Sequence, residues 1–181
     1  VAVVCALHSH DHMWKKLLRG AAGGLAGTLA HSAVMLGARE AGQGGKLPPK
    51  AITDEMLASL GVDPDENTRI ALAVATHVGF GLATGALFGL AAPRMSRVTS
   101  MLAGAGYGLA VWFASYEGWV PVLGALPRAH RDRRDRQALM IGAHVAFGVA
   151  LGAVAARPPE HGSDDATYIS SRDVEVPITA S

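Results

Sequence analysis

Four stretches of the chain are apolar and almost free of charge over a length that suits a membrane-spanning helix. They lie at residues 17–38, 70–92, 100–120 and 137–156, and a charged or proline-containing segment follows each of them. About 20 consecutive apolar residues cross the hydrocarbon core of a bilayer. Because the backbone must satisfy its own hydrogen bonds there, such stretches form helices. The pattern therefore predicts an all-α protein built on a bundle of four transmembrane helices.

The second and fourth stretches repeat one another. Residues 77–87 and residues 144–154 both begin with histidine and carry glycines at four-residue spacing. Residues 18–26 resemble residues 102–110 in a similar way. Two spans per repeat would give both copies the same orientation in the membrane. We therefore expect two parallel helix-pair repeats. The alternative is a chance likeness between helices that are rich in alanine and glycine.

Glycines spaced three or four apart form stripes on the predicted helices. Residues at this spacing share one helix face, and small residues there let two helix backbones come close together in lipid. We expect these stripes to pack helices in the manner of a glycine zipper. Any face that is left over could bind a second copy of the chain or a partner membrane helix. The candidate packing positions are Gly20, Gly24, Gly27, Gly81, Gly85, Gly89, Gly148 and Gly152.

The links between the stretches carry most of the charge. Residues 53–60 have an apolar stripe and predict a short loop helix, which either lies on the membrane surface or packs against the bundle. Asp63 is the predicted N-cap of the next helix, with Glu66 at its third position. An arginine-rich segment at residues 128–136 lies in the third link, on the same side of the membrane. Acidic residues of the first link could pair with these arginines, and solvation or anionic lipid would serve the arginines equally well.

The ends of the chain differ from the bundle in composition. Residues 1–14 are expected to form a flexible segment, and residues 158–181 are polar, without a period, and typical of a disordered tail. The transmembrane domain is therefore expected to span residues 15–157.

The scarcity of charge limits the partners. Charged residues make up 17% of the chain and hydrophobic residues 50%, and a net charge of +1 argues against a nucleic-acid-binding surface. The expected partner is the lipid bilayer. Lys15, Lys16 and Arg19 before the first stretch favour a cytoplasmic N-terminus, whereas the arginine-rich link on the other side argues the opposite. We expect both termini in the cytoplasm, because the first helix usually sets the orientation.

Each predicted helix carries one ionisable side chain at a similar depth. His31 lies about seven residues before the end of its stretch, and His77 and His144 lie about seven residues into theirs, so each is about 10 Å below the same membrane surface. Glu117 lies near that surface at the end of the third stretch. Ionisable groups inside a bilayer are costly and face a bundle interior or a wet cavity. We therefore expect the four side chains to form one polar cluster.

The polar cluster has three interpretations. Neutral histidines could hydrogen-bond hydroxyls and carbonyls across the bundle in a structural role. The histidines could instead titrate between about pH 5 and pH 8, with Glu117 as counter-charge, and so form a pH-responsive element or part of a proton path. The third interpretation is a zinc or haem site, since three histidines and a carboxylate suit zinc. The haem version is the weaker of the two, because the glycine stripes favour close backbone contact over a gap for a cofactor. We expect neither cofactor nor metal.

Short motifs resemble a known family. Gly106-Tyr-Gly108, Ser115-Tyr-Glu-Gly-Trp-Val-Pro121 and residues 136–144, together with Leu47-Pro-Pro-Lys50, are similar to the small bacterial inner-membrane proteins grouped with YagU. The resemblance covers about residues 17–156. It implies a four-helix bacterial inner-membrane protein from a largely uncharacterised family that is loosely associated with acid resistance. It carries over no catalytic residue.

Three functions are compatible with these features. No nucleophile motif or phosphate-binding loop is present in the sequence, so we expect a protein that is not an enzyme. The leading hypothesis is a pH-responsive membrane protein that supports acid tolerance or the movement of protons or small solutes. The alternative is a structural or scaffolding subunit that binds partner helices through glycine faces. A membrane metal or haem protein is the third.

Overall fold

The computed structural model describes residues 2–42 and 48–159, with side chains from residue 12 onward except at residue 129. Leu47 and most of the predicted C-terminal tail lie outside the described residues.

The described residues are helical and contain no strand element. The helices are α1 (Ala2–Glu40), α2 (Pro48–Ser59), α3 (Glu66–Ala91), α4 (Arg97–Phe113), α5 (Val120–Val122) and α6 (Arg134–Ala155). A π-helix at Ala114–Trp119 joins α4 to α5, and a 3₁₀ turn at Ala129–Arg131 precedes α6.

Four segments are long and apolar enough to cross a membrane, as expected of a multi-pass membrane protein. They are His12–Glu40, Glu66–Ala91, Arg97–Val122 and Arg134–Ala155. The prediction of an all-α chain with four candidate membrane spans is therefore confirmed for the described residues.

Two predicted helix starts are wrong, and one helix is longer than its predicted span. Helix α1 begins at Ala2, before the span predicted from residue 17, since no proline or glycine interrupts residues 2–19. Helix α2 begins at Pro48, because proline fits the first helical turn, where its missing N–H costs nothing. The N-cap of α3 is Asp65, whose carboxylate accepts a hydrogen bond from the N–H of Thr68.

Helices α1 and α6 form the centre of the bundle. They pack against each other, α3 packs against α1, and α4 packs against α6. Helices α3 and α4 stay further apart and meet through side chains. The Tyr107 hydroxyl donates to the carbonyl of Thr84 at 2.8 Å, and its ring lies 5.3 Å from that of Phe88. A buried apolar cluster on this side of the bundle contains Phe88, Phe147 and Leu151.

The contact between α1 and α3 depends on glycine. A Cβ atom built on Gly20 would lie 2.8 Å from the Cα of Gly89, and one on Gly85 would lie 2.5 Å from the Cα of Gly24. Real Cβ atoms do not come this close to backbone. Gly27 belongs to a different face, because a Cβ there would lie 2.7 Å from the ring of Phe147 in α6.

Helices α4 and α6 repeat this contact with nearly the same geometry. A Cβ on Gly24 would lie 3.0 Å from the Cα of Gly85, and a Cβ on Gly104 would lie 3.1 Å from the Cα of Gly152. By its contacts, Gly24 is therefore the counterpart of Gly104. Sequence similarity between residues 18–26 and 102–110 instead aligns Gly20 with Gly104. The two correspondences differ by one helical turn.

We expect Gly85→Ala to destabilise the protein by about 1–3 kcal/mol, because the added methyl group has no room against the backbone of α1. The matched control is Gly79→Ala, six residues earlier in the same helix, where nothing lies within 4 Å. Alanine favours a helix over glycine by up to about 1 kcal/mol, so the control should keep or raise stability. Denaturant or thermal unfolding in mild detergent measures both. If Gly85→Ala and Gly79→Ala changed the free energy of unfolding in the same direction and by the same amount, the close contact at Gly85 would be contradicted.

Candidate functional site

Three of the four residues predicted to form a polar cluster come together, and we call them the histidine triad: His31, His77 and His144. The ring of His31 lies 4.8 Å from that of His144 and 5.3 Å from that of His77, between ring centroids. His31 takes the middle position because α1 packs against both α3 and α6. The glycine contacts one to two turns away keep these backbones close enough for the three rings to meet.

The triad makes few hydrogen bonds. Nδ1 of His144 lies 2.8 Å from the carbonyl oxygen of Met140, which can only accept, so this nitrogen carries the proton and Nε2 of the neutral ring is an acceptor. Nε2 of His77 lies 3.4 Å from the hydroxyl of Ser32. His31 is only 6% exposed, and its Nδ1 atom has no hydrogen-bond partner among the described residues.

The triad lines a cavity of about 330 Å³ between the four long helices and α2. The lining side chains are mainly apolar, and none is Asp, Glu, Lys or Arg. Five of the ten aromatic residues in the chain contribute to it, which concentrates aromatic surface at this one place. They are Phe80, Trp112, Tyr116, Trp119 and Phe147.

Helix α2 covers one end of the cavity. Pro48, Pro49, Ile52 and Met56 contribute to the lining, and Thr53 is buried against α3. The segment was predicted either to lie on the membrane surface or to pack against the bundle. In the structure it packs against the bundle.

Ion pairs hold α2 in place. Lys50 lies 3.2 Å from the carboxylate of Asp54, and Arg69 of α3 lies 3.3 Å from it. The hydrogen bond from Lys50 and then that from Arg69 hold the pKa of Asp54 below its ordinary value of 3.8. The ionised form of Asp54 therefore joins α2 to α3.

Glu117 does not join the triad. Its carboxylate lies 3.2 Å from Nδ1 of His130, accepts a hydrogen bond from the backbone N–H of His130 at 3.0 Å, and lies 4.0 Å from Arg128. Tyr116, one residue earlier, is the side chain that points into the bundle, and its hydroxyl bonds to Asp132. The prediction was wrong because adjacent residues face about 100° apart on a helix, and a carboxylate is more stable beside basic groups than in an apolar cavity.

The ion pairs of the two charged links are local in the described residues. Lys50 and Arg69 hold the acidic residues of the first link, with Arg69 also bonded to Asp63. Arginines of the other link pair with Asp132, Asp135 and Glu117. Pairing between the two links was one of the alternatives, and among the described residues the ion pairs just named lie within each link or beside it instead. Near neighbours lose less conformational freedom on pairing.

The sequence prediction missed Trp112 and the role of α2. Trp112 lines the cavity and follows Gly104 and Gly108 at four-residue spacing, a pattern that was available in the sequence. The gap between α3 and α4 forms the cavity, and no local sequence pattern predicted it. Among the described residues, no three His, Cys, Asp or Glu side chains are arranged to hold a metal ion.

We expect Asp54→Asn to loosen α2, because the variant loses the charge that joins Lys50 and Arg69. A lowered pKa means that the stabilisation is present above pH 3.8 and is lost as the pH falls through the folded-state pKa of Asp54. The amide hydrogens of residues 50–59 should therefore exchange faster in the variant at pH 7, and the difference from the parent protein should vanish in acid. Glu55→Gln is the matched control, since the structure shows no ion pair for Glu55 among the described residues. Equal exchange in the parent protein and Asp54→Asn at pH 7 would contradict the assignment.

The comparisons with known proteins identify a family and nothing finer. The chain matches the profile of a family of unknown function (DUF6789) over residues 14–165, which covers the first candidate span from its third residue onward and the other three spans completely. No curated protein and no solved structure matches the chain significantly. The resemblance to the proteins grouped with YagU stays a prediction. The chain belongs to the DUF6789 family.

Proposed function

We propose that this chain is a non-enzymatic membrane protein whose histidine triad responds to protonation. The observation that carries the proposal is the contact of the His31 ring with both other imidazoles, at 4.8 and 5.3 Å, within a cavity that no carboxylate lines. Histidine is the side chain whose charge changes most readily near physiological pH.

Protonation of one ring would change the forces between the rings. A positive charge on any ring would lie against the other two and against an apolar wall, without a counter-charge in the lining. The only other titratable side chain in the lining is Tyr116, whose hydroxyl bonds to Asp132. A second proton would face direct repulsion from the first, so proton binding by the triad is coupled. Movement of α1 away from α3 or α6 would separate the charged rings and so relieve this repulsion.

The physiological role that we propose is acid tolerance or the movement of protons or small solutes. The resemblance to the YagU group supports acid tolerance, and the triad supports a link to pH. We also propose the bacterial inner membrane with both termini in the cytoplasm, on the evidence of Lys15, Lys16 and Arg19 before the first span.

A scaffolding role is the second candidate. Several glycines in the long helices have nothing within 4 Å of a built Cβ and so leave room for another helix. They are Gly37, Gly79, Gly106 and Gly142. Such open small-residue positions suit a second copy or a partner membrane helix. A metal role, part of the third hypothesis, gains no support, because Glu117 lies away from the triad and no three His, Cys, Asp or Glu side chains among the described residues are arranged to hold a metal ion. The haem alternative stays a prediction.

The triad should titrate as one unit. In protein labelled with ¹⁵N in the histidine rings and held in lipid nanodiscs, we expect His31→Gln to move the titration curves of both His77 and His144. The physical reason is that the variant removes the ring that contacts both of them. The internal control is His130, which is exposed and paired with Glu117, and whose curve should not move.

Two results would contradict the proposal. One is that the triad takes up no proton between pH 4 and pH 9. The other is that His77 and His144 titrate unchanged in the variant. A scaffolding role alone predicts the second result together with loss of self-association in Gly106→Leu.

A further inference from the structure

Two buried polar atoms in the cavity have no hydrogen-bond partner. They are Nδ1 of His31 and Nε1 of Trp112, and both residues line the same space. These are the only such side-chain atoms in the part of the chain that the structure describes. Buried polar atoms are normally satisfied, and an unpaired one in a cavity indicates that something outside the chain supplies the partner.

The two atoms define the partner's chemistry. The indole N–H of Trp112 can only donate a hydrogen bond, so the group opposite it must be an acceptor. Nδ1 of His31 can donate or accept, depending on which ring nitrogen carries the proton. A carbonyl oxygen satisfies the indole and can also accept from His31.

The lining defines the rest of the molecule. No lining side chain carries a permanent charge, so the ligand is neutral. The five aromatic side chains offer flat apolar surfaces, which favour a planar ring. A volume of about 330 Å³ lies at the lower end of the range for small-molecule sites and suits one or two rings.

The cavity has a mouth on the side of the bundle where α3 and α4 are apart. Phe80 of α3 and Trp119 of the π-helix lie there with their ring centroids 6.1 Å apart. These side chains are 41% and 40% exposed, although both also line the cavity. Both belong to candidate membrane spans, so a lipophilic ligand could reach the cavity from the membrane at this point.

We propose that the cavity binds a neutral, lipophilic quinone or aromatic ketone whose carbonyl oxygen accepts a hydrogen bond from Nε1 of Trp112 and contacts His31. This binding site does not depend on protonation of the histidine triad. The two proposals can fail separately, because one concerns the pH dependence of the rings and the other an uncharged ligand.

The experiment compares two bicyclic probes of similar size and shape, of which only one has carbonyl groups. Menadione (2-methyl-1,4-naphthoquinone) and 2-methylnaphthalene are each equilibrated with nanodiscs that contain the protein and with empty nanodiscs. We expect menadione to bind in excess of the empty discs, and Trp112→Phe to weaken this binding about threefold to tenfold. The same variant should weaken any binding of 2-methylnaphthalene less, because this probe loses aromatic contact area but no hydrogen bond. Trp14→Phe is the matched control, because Trp14 of α1 is exposed and does not line the cavity.

A second measurement covers the case in which Trp112→Phe does not fold. The chain has three tryptophans, so its indole N–H groups give three signals in a ¹⁵N-labelled sample, and the signals lost in Trp14→Phe and in Trp119→Phe assign all three. Menadione should move the Trp112 signal, and 2-methylnaphthalene should move it much less. Equal affinity for the two probes, or a Trp112 signal that menadione does not move, would overturn the proposal.

Discussion

The fold depends on the close approach of helix backbones at glycine. The carbon atoms that a side chain would add at Gly24, Gly85 or Gly104 have no space, because the facing backbone already occupies it. In lipid, where apolar side chains gain little by leaving the solvent, this close packing takes the place of the hydrophobic effect. It brings α3 to α1 and α6 to α4, and it sets the depth at which the three histidine rings meet.

The same arrangement produces the cavity. Since α1 and α6 pack against each other and each holds one outer helix, α3 and α4 are not drawn together over their whole length. Tyr107 closes the gap on one side, and Phe80 with Trp119 narrows it on the other. Between them lies a space with aromatic walls, the histidine triad and two polar atoms that the chain does not satisfy. A tight pair of helix contacts and an open site are thus two results of one packing pattern.

Hydrophobic patterning was sufficient to predict the four candidate spans, because bilayer thickness and helix rise fix their length. It also predicted that the three histidines lie at one level of the bundle. It was insufficient for Glu117. The residue lies in the π-helix Ala114–Trp119, where Gly118 has non-helical backbone angles, and its direction depends on His130 and Arg128 in the next link. The correspondence between the α1–α3 contact and the α4–α6 contact was also beyond the sequence. Glycines recur so often that shifting the alignment of the two segments by one helical turn barely lowers their sequence similarity. The backbone contacts, in contrast, distinguish Gly24 from Gly20.

The central claim is that His31 lies between His77 and His144 in the membrane. Solid-state NMR in lipid bilayers, on protein with ¹³C- and ¹⁵N-labelled histidine rings, measures this directly through ring-to-ring dipolar contacts. The account predicts contacts from His31 to both other rings, consistent with centroid distances of 4.8 and 5.3 Å, and none from His31 to His130. The absence of both triad contacts in a folded sample would contradict the account.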